Sequence, residues 1–112
     1  MDNTNNYDFY CEEVLSGKTQ IEKLYESESV LAYYHTRPFW ETHIVIIPKK
    51  HIHDLTRLTE EDLPTMQEII KVAGELAKNL HLSKGVKLLT NLGKFQDTPH
   101  LHFHLAEGEE IR

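Results

Sequence analysis

His100-Leu101-His102-Phe103-His104-Leu105 alternates strictly between imidazole and apolar side chains. In a strand, residues i, i+2 and i+4 share one face. Three imidazoles therefore line one side, about 6.5 Å apart, while Leu101, Phe103 and Leu105 turn toward a core. The alternation predicts a strand over residues 100–106. Three readings of the histidine face compete. It is a solvated polar face, or a metal site, since His-x-His with a third histidine is an accepted zinc geometry, or a centre for phosphoryl chemistry. In the last case one imidazole nitrogen is a nucleophile at neutral pH and its neighbours donate to phosphate oxygens.

The flanking sequence favours phosphorus. Residues 91–99 read as a loop running straight into the histidine strand. The loop offers the amides of Asn91 and Gln96, a permissive backbone at Gly93 and the hydroxyl of Thr98, all able to meet an oxyanion. Asp97 is expected to turn away and hydrogen-bond the loop backbone, the common fate of an aspartate in a turn. Upstream, residues 42–47 form the clearest strand, β-branched almost throughout and ended by Pro48. Both its faces are apolar, so it is expected at the centre of a sheet with a layer on each side. His43 near its start reads as a fourth member of the histidine set, and Lys49 and Lys50 as a solvated strand end.

Further out, residues 20–26, 29–34 and 86–90 read as strands, and residues 7–15 as a short helical turn. Leu63, Met66, Ile69, Ile70, Ala73, Leu76, Ala77 and Leu80 make the stripe of one amphipathic helix. Thr59 to Asp62 supply its caps, and Pro64 places its first regular turn near Asp62. The fold class is α+β: five strands, one long helix and one short one. Residues 1–6 read as a flexible tail and 7–112 as a single domain.

Composition narrows function further. The 112 residues carry 12 basic and 18 acidic side chains, a formal net charge of −6. That balance argues against duplex nucleic acid as a partner. Hydrophobic residues at 39% and charged ones at 27% are the mix of a soluble globular domain. The count out of line is eight histidines. Cys11 is the single cysteine, so no intrachain disulfide and no C-x-x-C zinc site is available. It is expected to be a small buried side chain at the start of a helix. The longest apolar run, Ile44-Val45-Ile46-Ile47, is far short of a membrane span. Residues 1–6 show no signal-peptide pattern, and a cytoplasmic location is expected.

Together these segments resemble the histidine-triad (HIT) superfamily. His100 to Ala106 fits its His-φ-His-φ-His-φ-φ signature, φ being apolar. Thr42-His43-Ile44-Val45-Ile46-Ile47-Pro48-Lys49-Lys50-His51-Ile52 is similar to its second block, and Phe9-Tyr10-Cys11 to its N-terminal Phe-Cys segment. Asn91-x-Gly93 and Gln96-x-x-x-His100 are similar to its phosphate loop. The likeness spans about residues 7 to 106 and points to the small histidine-triad nucleotide-binding proteins, the phosphoramidase branch.

The resemblance implies a five-stranded antiparallel sheet and a homodimer whose two sheets join. It also implies hydrolysis or transfer at the α-phosphate of a purine nucleotide or nucleotide conjugate, without a cofactor or a bound metal. By position, His102 is the nucleophile that forms a nucleotidyl-histidine. His104 donates to the non-bridging oxygens, and His100 and His43 orient the site. Asn91 and Gln96 hold phosphate, with Gly93, Asp97 and Thr98 in the same loop. Tyr10, Tyr33, Phe9 and Val14 wall the base, and His35 stands where an acidic residue usually meets the ribose. Asp97 stands where the family commonly has Ser or Thr, and the loop is about two residues shorter. Two other activities fit the same residues: a dinucleoside polyphosphate hydrolase, or a nucleotide-binding regulatory dimer with little turnover.

Overall fold

The computed structural model describes residues 7–112. The expected tail over residues 1–6 lies outside them. Five strands, β1 (Lys23–Glu26), β2 (Val30–Tyr34), β3 (Trp40–Pro48), β4 (Val86–Leu89) and β5 (Phe103–Glu110), form one antiparallel sheet in the order β1-β2-β3-β5-β4. Helix α1 spans Leu63–Asn79. Among the described residues no helix is long and apolar enough to cross a membrane.

β3 takes the central position that its two apolar faces require. Ile44 and Ile46 pack with Leu101, Phe103 and Leu105 against α1, and Val45 and Ile47 pack with Leu31, Tyr33, Tyr10 and Val14 on the opposite side. The sheet is thus covered by α1 on one face and by a five-residue π-helical turn, Tyr10–Val14, on the other. That turn is shorter than the expected helical segment over residues 7–15.

The α1 stripe is centred on Ile69, Val72, Ala73 and Leu76, the i, i+3, i+4, i+7 set. Leu63 and Ile70, read from sequence as part of it, are exposed. Each lies at least 100° around the helix from the buried line. Start signals behave as read: Thr59 N–H donates to Asp62 Oδ2 and Pro64 sits in the first turn.

The last strand begins three residues later than the alternation predicts. The His100 amide donates to Thr98 O and the Leu101 amide to Ile52 O, so this stretch is tied to loops and not to the β3 ladder. Its side chains still alternate: Leu101 packs into the core beneath α1, while His100 and His102 meet Tyr10 on the other side. At the other end β5 runs on to Glu110, opposite Trp40. Gly108, at φ +87°, takes up the register shift between these strands.

Candidate active site

His100, His102 and His104 emerge on the sheet face covered by the N-terminal turn, and all three are buried. Register explains why His43 joins them. His43 pairs with Ala106, so His104 is its diagonal neighbour on the same face.

Hydrogen bonds fix where the protons sit. Phe39 N–H donates to His43 Nδ1 at 3.0 Å, so that nitrogen carries a lone pair. His43 then holds its proton on Nε2, which lies 2.8 Å from His104 Nδ1 and donates to it. His104 is left with its proton on Nε2. Burial, reinforced by neighbouring imidazoles, holds His43 down at about 3 and His104 at about 4, so both rings stay neutral. His35 stacks on His43 with centroids 4.2 Å apart, and its Nδ1 accepts from Arg37 N–H. Burial lowers His35 as well.

His102 is set the opposite way. Its Nδ1 lies 2.7 Å from His100 O, a carbonyl, so Nδ1 is the donor. A neutral His102 therefore presents the lone pair of Nε2. Asp97 Oδ1 is 3.4 Å from that nitrogen. This corrects the expectation that Asp97 turns away: its carboxylate faces His102, the histidine to which the family resemblance gives the nucleophile's place. Its interaction with His102 outweighs burial and holds the Asp97 carboxyl below its ordinary value.

His100 is wholly enclosed. Its Nδ1 lies 2.8 Å from Asp8 Oδ2 and its Nε2 2.9 Å from Pro48 O. Both partners are oxygens, so each ring nitrogen faces an acceptor. Asp8 Oδ2 also lies 2.5 Å from His51 Nδ1, and Asp8 Oδ1 accepts from the amides of Tyr10 and Cys11. Burial alone would raise Asp8, but the Cys11 amide and His100 hold it below its ordinary value. Cys11 is half-buried, not enclosed, with Sγ 3.5 Å from His100 Nδ1. Burial pushes its thiol up to about 11.

Asp8, Cys11, His51 and His100 each bring one ligand atom within 4.8 Å of the others. With the protons on His51 Nδ1, His100 Nδ1 and the Cys11 thiol displaced, this donor set of two nitrogens, one oxygen and one sulfur would suit tetrahedral zinc. A metal there would brace the N-terminal turn against the histidine strand and would serve the fold. His35, His43 and His104 also converge. Their hydrogen bonds leave that trio no free ring lone pair, so it does not fit a metal.

Two cavities open beside Asp97. One, of about 180 Å³, is walled by Phe9, Tyr10, Tyr33, His35, Asp97 and Thr98 together with Thr36 and Arg37. The other, about 300 Å³, is lined by His35, Arg37, Phe39, Asp97 and Arg112. Six residues expected around a nucleotide thus come together. Asn91, Gly93 and Val14 line neither cavity. Gly93 is exposed at φ +65°, and Val14 lines a separate cavity of about 640 Å³ with Lys23 and Lys49. Gln96 is buried, and its Nε2 donates to His53 O at 2.6 Å.

Sequence reasoning missed Asp8, His51, Arg37, Arg112 and the Phe39 amide. Asp8 alone carried a readable signal, a short acceptor two and three residues before amides that open a helical turn. The others depend on tertiary approach.

The neutral rings give a pH prediction. Below about 6.5 the unfolded chain binds protons that folded His43 and His104 refuse. Their contribution is therefore present above pH 6.5 and is lost as pH falls toward 4 and then 3. Thermal melts from pH 8 to 4 should show this slope, and His104→Asn should flatten it. An unchanged slope in the variant would contradict the neutral assignment.

Residues 16–111 match the HIT domain. An uncharacterized HIT-like protein of Helicobacter pylori is 35% identical over 102 residues, covering 88% of this chain and 95% of its own length. A HIT family hydrolase from Clostridium thermocellum superposes with a TM-score of 0.83 at 30% identity, covering 97% of this chain and 96% of that one. A Zn-bound histidine triad family protein from Mycobacterium smegmatis does so at 0.74 and 30%, covering 91% and 75%. With its histidine face intact and the domain matched over nearly its whole length, the chain belongs to the HIT family.

Proposed function

We propose that the protein is a hydrolase or transferase of the phosphoramidase type, acting at the α-phosphate of a purine nucleotide conjugate. The observation that carries this reading is the pair of oppositely set rings: a neutral His102, with Nδ1 donating to His100 O, presents the Nε2 lone pair, and His104 presents an Nε2–H donor. Nucleophile and phosphate-oxygen donor thus stand two residues apart on one face. In the first step His102 Nε2 attacks phosphorus. The phosphorus–nitrogen bond of the amidate breaks, its electron pair leaves with the amine, and the amine takes up a proton. Water then attacks phosphorus, the bond to Nε2 breaks, and the free nucleotide departs. His104 opposes the charge that builds on the non-bridging oxygens. Phe9, Tyr10 and Tyr33 supply an aromatic wall for the base, and buried Tyr10, 4.9 Å from His102 between ring centroids, limits how that ring can turn.

The test is release of AMP from an AMP-amidate by the full chain. Binding of AMP with no turnover of any amidate would favour the regulatory reading, toward which the Asp97 carboxylate at His102 points.

A homodimer is part of the proposal. β4 ends the sheet and leaves Val86 and Leu88 exposed. An uncovered edge strand invites pairing, and a two-fold dimer is the commonest closed solution. Sedimentation at micromolar concentration should give twice the chain mass, and a Leu88→Lys variant should shift it to monomer. A wild-type monomer would refute the dimer.

A further inference from the structure

Among the described residues Asp97 is the acidic side chain facing the nucleophile, and it lines both cavities. A carboxylate there opposes an anionic phosphate by plain Coulomb repulsion. Its carboxylate lies 3.4 Å from His102 Nε2, and its side chain is 79% exposed, with room to swing when a phosphoryl group approaches that nitrogen. Beyond it, the larger cavity carries the opposite sign. Arg37 and Arg112 line it with Phe39, and Arg112 is anchored by its Nε, which donates to Pro38 O at 2.6 Å. With the base against the aromatic wall of the smaller cavity, the larger one remains for the group that leaves. It offers an acceptor of positive charge at the reacting end and two donors to negative charge further out.

We propose that the cavity of Asp97, Arg37, Phe39 and Arg112 is a leaving-group subsite selective for a zwitterionic amine, one that bears an ammonium near the phosphorus–nitrogen bond and a carboxylate beyond it. The ammonium meets Asp97 and offsets its repulsion of the phosphate. The carboxylate meets the arginines, whose planar forks suit it. Phe39 covers the carbon chain between. Asp97 is then a specificity-determining residue whose charge is balanced by the substrate itself. This inference rests on the phosphoramidase reading.

The experiment compares three AMP-amidates that share a chain length: one with a plain alkyl amine, one with a second ammonium, and one with an ammonium and a carboxylate. Wild-type kcat/KM should rise in that order, with the zwitterion at least about tenfold above the alkyl amine, a difference worth about 1.4 kcal/mol. Asp97→Asn should shrink the cationic-to-alkyl ratio, and Arg112→Gln the zwitterionic-to-cationic ratio, each by at least about threefold. Only ratios within one protein are read, so a general change in turnover does not enter. Equal rates for the three amidates overturn the inference and leave the phosphoramidase reading standing. So do ratios that both variants leave unchanged, or an Asp97→Asn rate that rises equally on all three. Turnover of none of them overturns the phosphoramidase reading itself.

Discussion

His102→Ala should lower AMP release from an AMP-amidate by about a thousandfold or more, with AMP affinity kept within a few-fold. Covalent catalysis runs through one atom, here Nε2, whereas binding is spread over the aromatic wall and the loop. The variant also removes the Nδ1–H bond to His100 O, a local loss on an otherwise buried strand segment. Rapid-quench kinetics with mass spectrometry should find a nucleotidyl adduct on wild type and none on the variant. A rate loss below about tenfold would take the nucleophile's role from His102. His104→Asn should bind nucleotide and turn over more slowly, since it removes a donor and not the attacking atom.

Asp8→Ala should be the costliest change to stability. Asp8 is buried, caps the amides of Tyr10 and Cys11, and faces both His51 and the enclosed His100. Removing one partner of a buried ion pair costs about 3–5 kcal/mol because the other charge is left uncompensated. For a domain of this size that is a drop in Tm of roughly 15 °C. Asp8→Asn keeps an oxygen for the two amides and should lose less. A loss under about 1 kcal/mol for Asp8→Ala, read by urea unfolding, would mean that Asp8 does not hold the N-terminal turn to the histidine strand.

Much of this fold was legible because two periodicities were clean. The period-two alternation of residues 100–105 assigned each side chain its face, and the β-branched run 42–47 placed β3 at the centre. Those two segments also bring His43 to His104, since their register follows from their apolar faces. The rest was hidden for physical reasons. The start of β5 depends on where the amides of His100 and Leu101 find acceptors, and those lie on remote loops. The α1 stripe was misread at Leu63 and Ile70 because a hydrophobic residue one step off the buried line looks the same in sequence. Asp97 was misjudged because turn chemistry is local, while its partner, His102, arrives by a change of chain direction at Pro99. Cys11 and Asp8 are 89 and 92 residues from His100, beyond any spacing rule.

The bonds from the Phe39 amide through His43 to His104 have one more consequence. A main-chain amide has a single hydrogen and no way to accept one back, so the row of rings has a fixed polarity, like a diode. It cannot shuttle a proton outward and be refilled from behind, since the last link behind His43 never gives its hydrogen up. His104 therefore offers the phosphate a permanent dipole and not a transferable proton. The hydrogen that leaves with the amine must be drawn from the open side of the pocket.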